Sequence, residues 1–238
     1  KTKSRESLLS KSADAFEFFK KYTPGKPKIE VTSLKEKDRR PRTVIKLLNE
    51  DKTFLVDSVL AEASRLGYKV FEIYHPVLKS KRDKNGKFLG FDDKGKAESL
   101  IYLQTSYLEG KEAQDALVAN LEKVLRGLYA AVGDWKEMLI KADEALKNLQ
   151  VARKTHSHEE IDEAVDFLKW LADDHFTFLG YTEYEVTNKG PNLKTLNETS
   201  LGLASAAAKQ NLDLVVPYSK DFVNSDEMVQ IIKSDNKA

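Results

Sequence analysis

Residues 43–70 read TVIKLLNEDKTFLVDSVLAEASRLGYKV, and this stretch decides the fold. Residues 43–48 are apolar and β-branched enough for a strand. Asp51 or Thr53 can then cap a helix, because either side chain accepts from an orphan backbone N–H. Phe54, Leu55, Val59, Ala63 and Leu66 recur at helical spacing. Gly67 stands where helices stop. From Tyr68 the chain is extended again, so the stretch reads strand, helix, strand.

Working upstream, residues 12–22 predict a short amphipathic helix with Leu9, Phe16 and Phe19 on one side. Pro24, Gly25 and Pro27 end it. Ile29, Val31 and Leu34 alternate with polar residues, the period of a half-buried strand. A charged turn over 35–40 follows, closed by Pro41. Downstream, residues 68–81 are extended, with Val70, Ile73 and Tyr74 as inward candidates and Pro76 forcing a bend or an edge. Asn85-Gly86 predicts a two-residue type I′ hairpin turn, which needs positive φ at both positions. Residues 100–108 predict a further strand.

A long helix is expected from about Lys111 toward Gln150. Its apolar residues fall on two seven-residue ladders: Leu117, Val124, Ala131, Met138, and Leu121, Leu128, Trp135, Ala142, Leu149. Unbroken, it would be roughly 60 Å long. Gly127 and Gly133 weaken it and are the places where it can bend. The whole order predicts a ferredoxin-like α+β sandwich, an antiparallel sheet with helices on one face.

Ser157 and Glu160 form a capping box for the next helix, with Ile161, Val165, Leu168, Leu171 and Ala172 as its buried stripe. That helix is the expected partner of the long one in a helical hairpin. Alanine and interior glycine in the ladders favour packing within the chain over a coiled coil between chains. Residues 176–186 are extended, 188–200 read as a polar loop, and 201–210 as a small-residue segment. Residues 212–216 are a short apolar run, and 228–233 a further strand. The expected organisation is an N-terminal helical segment (1–27), a first domain (28–135), a helical linker (136–175) and an incomplete second α+β domain (176–238).

Composition narrows function. Hydrophobic residues make up 41% and charged residues 32%, enough for a core and a solvated surface. Lys plus Arg is 39 against 38 Asp plus Glu, and a net charge of +1 argues against a general nucleic-acid binder. The absence of cysteine removes disulfides, thiolate metal sites and a cysteine nucleophile, and fits a reducing compartment. No run of about 18 apolar residues exists to span a membrane. The opening KTKSRESLLS has no apolar stretch of a signal peptide, and a start without Met leads to the expectation of a piece of something longer.

Short motifs carry little chemistry. Gly90 to Lys96 fits G-x-x-x-x-G-K, but position 97 is Ala where magnesium needs a hydroxyl, and the segment lies between strands. A charged loop accounts for it better. His156-x-His158-Glu159 reads as exposed residues around a helix cap rather than a metal clip. His175 suits a helix C-terminus, and His75 before Pro76 reads as structural. Asp173 and Asp174 are helical neighbours and do not face each other. Tyr102, Tyr107, Tyr181 and Tyr184 on strands suit RNA stacking, but the basic signature is missing. No catalytic, cofactor or metal residue is assigned, and nucleic acid and membrane are not expected partners.

Two stretches resemble known families. Asp51-Lys-Thr-Phe-Leu-Val56 with Arg65-Leu-Gly67-Tyr68-Lys69-Val70 is similar to the opening of an ACT domain, a small amino-acid-sensing module. A longer pattern resembles the N-terminal region of the large bacterial NAD-specific glutamate dehydrogenases. It comprises Phe54-Leu-Val-Asp-Ser-Val59, His75-Pro-Val77, Arg82-Asp-x-x-Gly86, Glu98-Ser99, Asp134-Trp135-x-x-Met138 and the run from Phe167 to Tyr181. Leu201-Gly-Leu203 and Ile231-Ile-Lys-Ser234 continue it. The resemblance implies a parent cytoplasmic oxidoreductase of amino-acid catabolism, with NAD and the catalytic residues downstream. It implies for this segment an ACT-like role in allosteric regulation or assembly. The partners it implies are the downstream domains and further copies of the chain.

In ACT domains the turn before the first helix offers backbone N–H groups to a ligand carboxylate. The corresponding residues here, Asn49, Glu50, Asp51, Lys52 and Thr53, are the candidate effector or interdomain contact. Phe54 stands where the sensing family has Gly, and Thr53 where it has Pro. Glu50 and Asp51 repel a carboxylate with only Lys52 to offset them, which favours a structural or interdomain role. An amino-acid-sensing module and a ferredoxin-like RNA binder are the alternatives.

Overall fold

The computed structural model describes residues 5–35, 40–152, 158–187 and 192–209. His156, the capping Ser157, the apolar run at 212–216 and the strand expected at 228–233 lie outside the described residues. The chain divides into two compact units, Lys1–Leu128 and Tyr129–Ala238.

The first unit is built from α1 (Arg5–Phe19), β1 (Lys28–Leu34), β2 (Arg42–Glu50), α2 (Leu55–Arg65), β3 (Val70–Tyr74), β4 (Val77–Arg82), β5 (Phe88–Phe91), β6 (Lys96–Thr105) and the start of α3 (Lys111–Gly133). The strands make one antiparallel sheet in the order β1-β2-β6-β4-β5, with β3 also on β6. β3 and β4 lie end to end along β6, Val70–Tyr74 opposite Thr105–Tyr102 and Val77–Ser80 opposite Ser99–Lys96. The break between them falls at His75-Pro76, as the proline requires. β2 and β3 therefore run parallel with β6 between them, the split β-α-β of a ferredoxin-like sheet. The outer strand beside β2 comes from the front of the chain.

β2 is buried at every residue from Thr43 to Asn49, so both of its faces are covered. Alternation assigns the faces. Ile45 and Leu47 pair with Leu103 and Ile101, and all four are fully buried. They face α2 and α3, whose Leu55, Val59, Ala63, Leu117, Leu121 and Leu125 are buried in turn. Leu48 and Leu100 point the other way and cluster with Phe18, Phe19 and Tyr22. α1 thus adds a layer on the opposite face, which the strand and helix order alone did not place. It docks through its last turn, so Phe18 and Phe19 enter the core while Leu9 stays 61% exposed, contrary to its expected place on the buried side.

Polar ties fix α1. The Lys28 ammonium donates to the carbonyls of Phe18 (2.6 Å) and Lys21 (2.9 Å), satisfying acceptors that a helix end leaves open. Burial pulls the Lys28 pKa below its ordinary value. Lys46 bridges Asp14 of α1 (2.7 Å) and Glu30 of β1 (2.6 Å). Burial opposes its charge, but the two carboxylates outweigh that and hold its pKa above the usual lysine value.

Several expectations are corrected. Gly86 has φ 79°, but Asn85 does not share its positive φ, so the β4–β5 turn is not type I′. Instead Asp83 Oδ1 accepts from the N–H groups of Asn85 and Lys87, with a bulge at Lys81/Arg82. Gly86 is required for a second reason: a Cβ there would lie 1.9 Å from the Tyr22 carbonyl oxygen. Asp51 and Thr53 do not cap α2; its first turn has no side-chain cap, and Asp51 is engaged elsewhere. Ile73 is 40% exposed, because β3 pairs on one side only. β6 covers Lys96–Thr105 rather than 100–108, since its polar start pairs with β4.

The long helix bends at Asp134, directly after Gly133; Gly127 stays inside α3. Trp135, the first residue after the bend, is 48% exposed, while its ladder neighbours Leu128 and Ala142 stay buried. In the second unit α4 (Trp135–Ala152) packs on α5 (His158–Trp170), as the helical hairpin requires. A wide turn over Leu171–His175 leads to β7 (Gly180–Thr187), β8 (Asn192–Leu201) and α6 (Gly202–Lys209). β8 replaces most of the polar loop expected at 188–200. Its polar side chains pair across the two strands, Thr182 with Ser200 (2.8 Å) and the Glu183 N–H with Thr199 Oγ1 (3.0 Å).

Candidate functional site

The turn between β2 and α2 is built from groups buried at one end and exposed at the other. Asn49 is buried and its amide donates to the Glu50 carbonyl at 2.8 Å. The Glu50 N–H donates to the Tyr22 hydroxyl (3.0 Å) and the Asp51 N–H to the Ala97 carbonyl (3.0 Å). Glu50 reaches Lys96 only at 3.9 Å, a pair that adds little. Asp51, Thr53 and Phe54 are exposed, and Lys52 is half-buried.

Phe54 carries the local strain. Its φ is 63° and ψ 8°, the left-handed region that costs an L-residue about 1–2 kcal/mol. Glycine adopts this conformation without steric cost, but the residue here is phenylalanine. Its side chain is 48% exposed.

Asp51 belongs to a chain of three side chains. Ser99 Oγ donates to Asp51 Oδ1 at 2.5 Å, and His75 Nε2 lies 3.0 Å from the same Ser99 oxygen. Because the serine proton points to the carboxylate, the imidazole is assigned as donor to the serine. Nucleophilic catalysis needs the reverse, an imidazole that takes the serine proton. Ser99 is also fully buried. The trio ties the α2 turn, the β3–β4 break and β6 together.

A second polar lock lies further along β6. Arg82 and Glu98 have side chains 5% and 3% exposed, joined by two 2.7 Å bonds (Nε to Oε1, and one Nη to Oε2). Arg82 also donates to the carbonyls of Phe19 and Gly86, both at 3.0 Å, and Ser80 donates to Glu98 at 2.8 Å. Reasoning on single positions assigned His75 only a structural part, and missed Ser99, Arg82 and Glu98. The signal was nonetheless present: His75-Pro-Val77, Arg82-Asp-x-x-Gly86 and Glu98-Ser99 all stand in the longer pattern described above.

Other sequence candidates resolve plainly. The Gly90–Lys96 segment is a turn between β5 and β6, with Asp92 Oδ1 accepting from the Lys94 N–H (2.9 Å). His158 is an exposed first residue of α5, and His175 stacks on Trp170 at 5.1 Å. Tyr102 is 4% exposed and offers no open stacking face. Tyr107 follows β6 rather than lying on a strand. Among the described residues no group of three or more metal-ligating side chains forms, and no helix is long and apolar enough to cross a membrane.

The family model described as "Glutamate dehydrogenase, ACT1 domain" matches residues 1–121. The chain belongs to this family. The ACT1 match takes in α1 with the sheet it covers. An NAD-specific glutamate dehydrogenase of Halomonas elongata is 32% identical over 191 residues, 76% of this chain. One of Pseudomonas aeruginosa is 35% identical over 153 residues, 62% of this chain. The aligned parts are 12% and 9% of those relatives, so this ACT1-containing chain spans a small share of their length.

Proposed function

We propose that this chain is the noncatalytic N-terminal regulatory and assembly segment of a large cytoplasmic NAD-dependent glutamate dehydrogenase. The parent reaction is oxidation of L-glutamate with NAD and water to 2-oxoglutarate, ammonia and NADH. The observation that carries this reading is the ACT1 family match over a body whose buried polar groups serve as locks. Ser99, a buried hydroxyl between a histidine and an aspartate, has its proton directed away from the histidine. NAD and the reacting carbon belong to polypeptide downstream, and the partners are those domains and further copies of the chain. The strands and helix after residue 176 begin a second ACT-like domain.

The turn over residues 49–53 serves a structural or interdomain contact. Glu50 and Asp51 disfavour a carboxylate there, and the exposed Phe54 ring offers an apolar contact to a neighbouring domain.

Two measurements test this. The isolated chain, given glutamate and NAD, should form no NADH; steady NADH formation would overturn the noncatalytic role. In the parent enzyme, deletion of residues 1–128 should change the oligomer mass or the shape of the glutamate saturation curve. An unchanged mass with an unchanged curve would remove the regulatory and assembly role.

A further inference from the structure

A cleft of about 620 Å³ lies between α1 and the sheet face that α1 covers. That volume falls within the range of small-molecule sites. Phe16, Phe19, Leu78 and Leu100 are among its apolar walls. Its polar lining comes from Lys11, Ser12, Tyr74, His75 and Tyr102. His75 is engaged with Ser99 and Tyr74 donates to Glu72 (3.3 Å), so Lys11, Ser12 and Tyr102 are the lining groups that can donate to a ligand, and no carboxylate among the described residues is part of the lining.

The cation is placed. Lys11 Nζ is held by Glu72 at 2.6 Å, with the Lys11 side chain 18% exposed. An ammonium has three N–H donors, and Glu72 accepts one of them. Tyr74 and Tyr102 pack edge to face with ring centroids 6.2 Å apart, forming an aromatic floor. Burial, with the nearby Asp14 adding to it, raises the Tyr102 pKa, so its phenol stays protonated. His75 joins this cleft to the α2 turn through Ser99 and Asp51.

We propose that this cleft binds an apolar monocarboxylate, its carboxylate on Lys11 and its hydrocarbon body against Phe16, Ile73 and Leu78. The site is separate from the turn at 49–53 and stands whether or not the chain regulates a dehydrogenase. An apolar wall with one fixed cation selects a ligand with one anionic end. A neutral ligand of the same shape gives up the charge-assisted bond to Lys11.

The test is calorimetric titration of the 238-residue chain with phenylacetate and, separately, with phenylacetamide. Phenylacetate should bind saturably, and the amide about tenfold more weakly, a difference of about 1.4 kcal/mol. Lys11→Met, which keeps the methylene stem, should lose about the same tenfold for phenylacetate and nothing for the amide. Amide resonances of Leu78 and Tyr102 should shift on binding. No saturable binding at millimolar phenylacetate, equal affinity for acid and amide, or shifts confined to other residues would each overturn the proposal. Thermal melting shows whether Lys11→Met is folded; if it is not, the acid–amide comparison and the shifts on the unsubstituted chain decide.

Discussion

Replacing Arg82 by Met tests how α1 is held to the sheet. The guanidinium makes two 2.7 Å bonds to Glu98 and two 3.0 Å bonds to the Phe19 and Gly86 carbonyls. It also lies 4.6 Å from the Phe19 ring centre. Methionine fills the stem volume but leaves the Glu98 charge buried beside only Ser80. Breaking a buried pair from one side costs about 3–5 kcal/mol. The upper half of that range is expected, because two carbonyls lose a charged donor as well. Against a total of about 5–15 kcal/mol, this is a large share. Both tryptophans, Trp135 and Trp170, lie in the second unit, so their fluorescence reports on the wrong part of the chain. Urea unfolding should therefore be followed by circular dichroism, with hydrogen exchange at Leu48 and Leu100. Arg82→Met with Glu98→Leu should recover most of the loss, since no charge is then stranded. A cost below about 1 kcal/mol for the single change, or no recovery in the double variant, would refute the clamp.

Three further outcomes follow from the same structure. Leu121→Ala should destabilise the first unit by about 2–5 kcal/mol, read as a lower urea midpoint, because Leu121 is fully buried. Gly202→Ala should cost about 2–4 kcal/mol: φ is 59° and the new Cβ would lie 2.4 Å from the Leu179 carbonyl oxygen. An unaltered melting curve for that variant would contradict the β8–α6 junction. Burial, with the Glu183 hydrogen bond adding to it, pushes the Tyr181 phenol up to about 12. A raised folded pKa means its stabilising contribution is whole below the unfolded value of about 10 and fades as pH rises toward 12. Phenolate absorbance should show a late step that Tyr181→Phe removes.

The fold was legible where burial on one face imposes a period. Leu55, Val59 and Ala63 mark α2, Gly67 marks its end, and alternation in Ile29 and Val31 marks β1. It was illegible where polar residues form the structure. β8 carries Lys194, Asn197, Glu198 and Thr199 in a two-stranded ribbon, so no apolar period announces it. The placement of α1 depends on which turn of the helix docks, and Leu9, Phe16 and Phe19 look equivalent in sequence. At the candidate turn, composition gave the charges of Glu50, Asp51 and Lys52 but not the left-handed backbone of Phe54. The Asp51–Ser99–His75 chain joins residues 48 and 24 positions apart, a distance local spacing rules do not cover.

Taking the outer strand from the front of the chain has a consequence for synthesis. β1 and β2 leave the ribosome together and can close as a hairpin at once, shielding one edge of the strand that is buried without a break from Thr43 to Asn49. Were that strand supplied after α3, β2 would wait through most of the unit with a bare flank open to other chains. Borrowing it early also leaves whatever follows α3 with no obligation to return to the sheet.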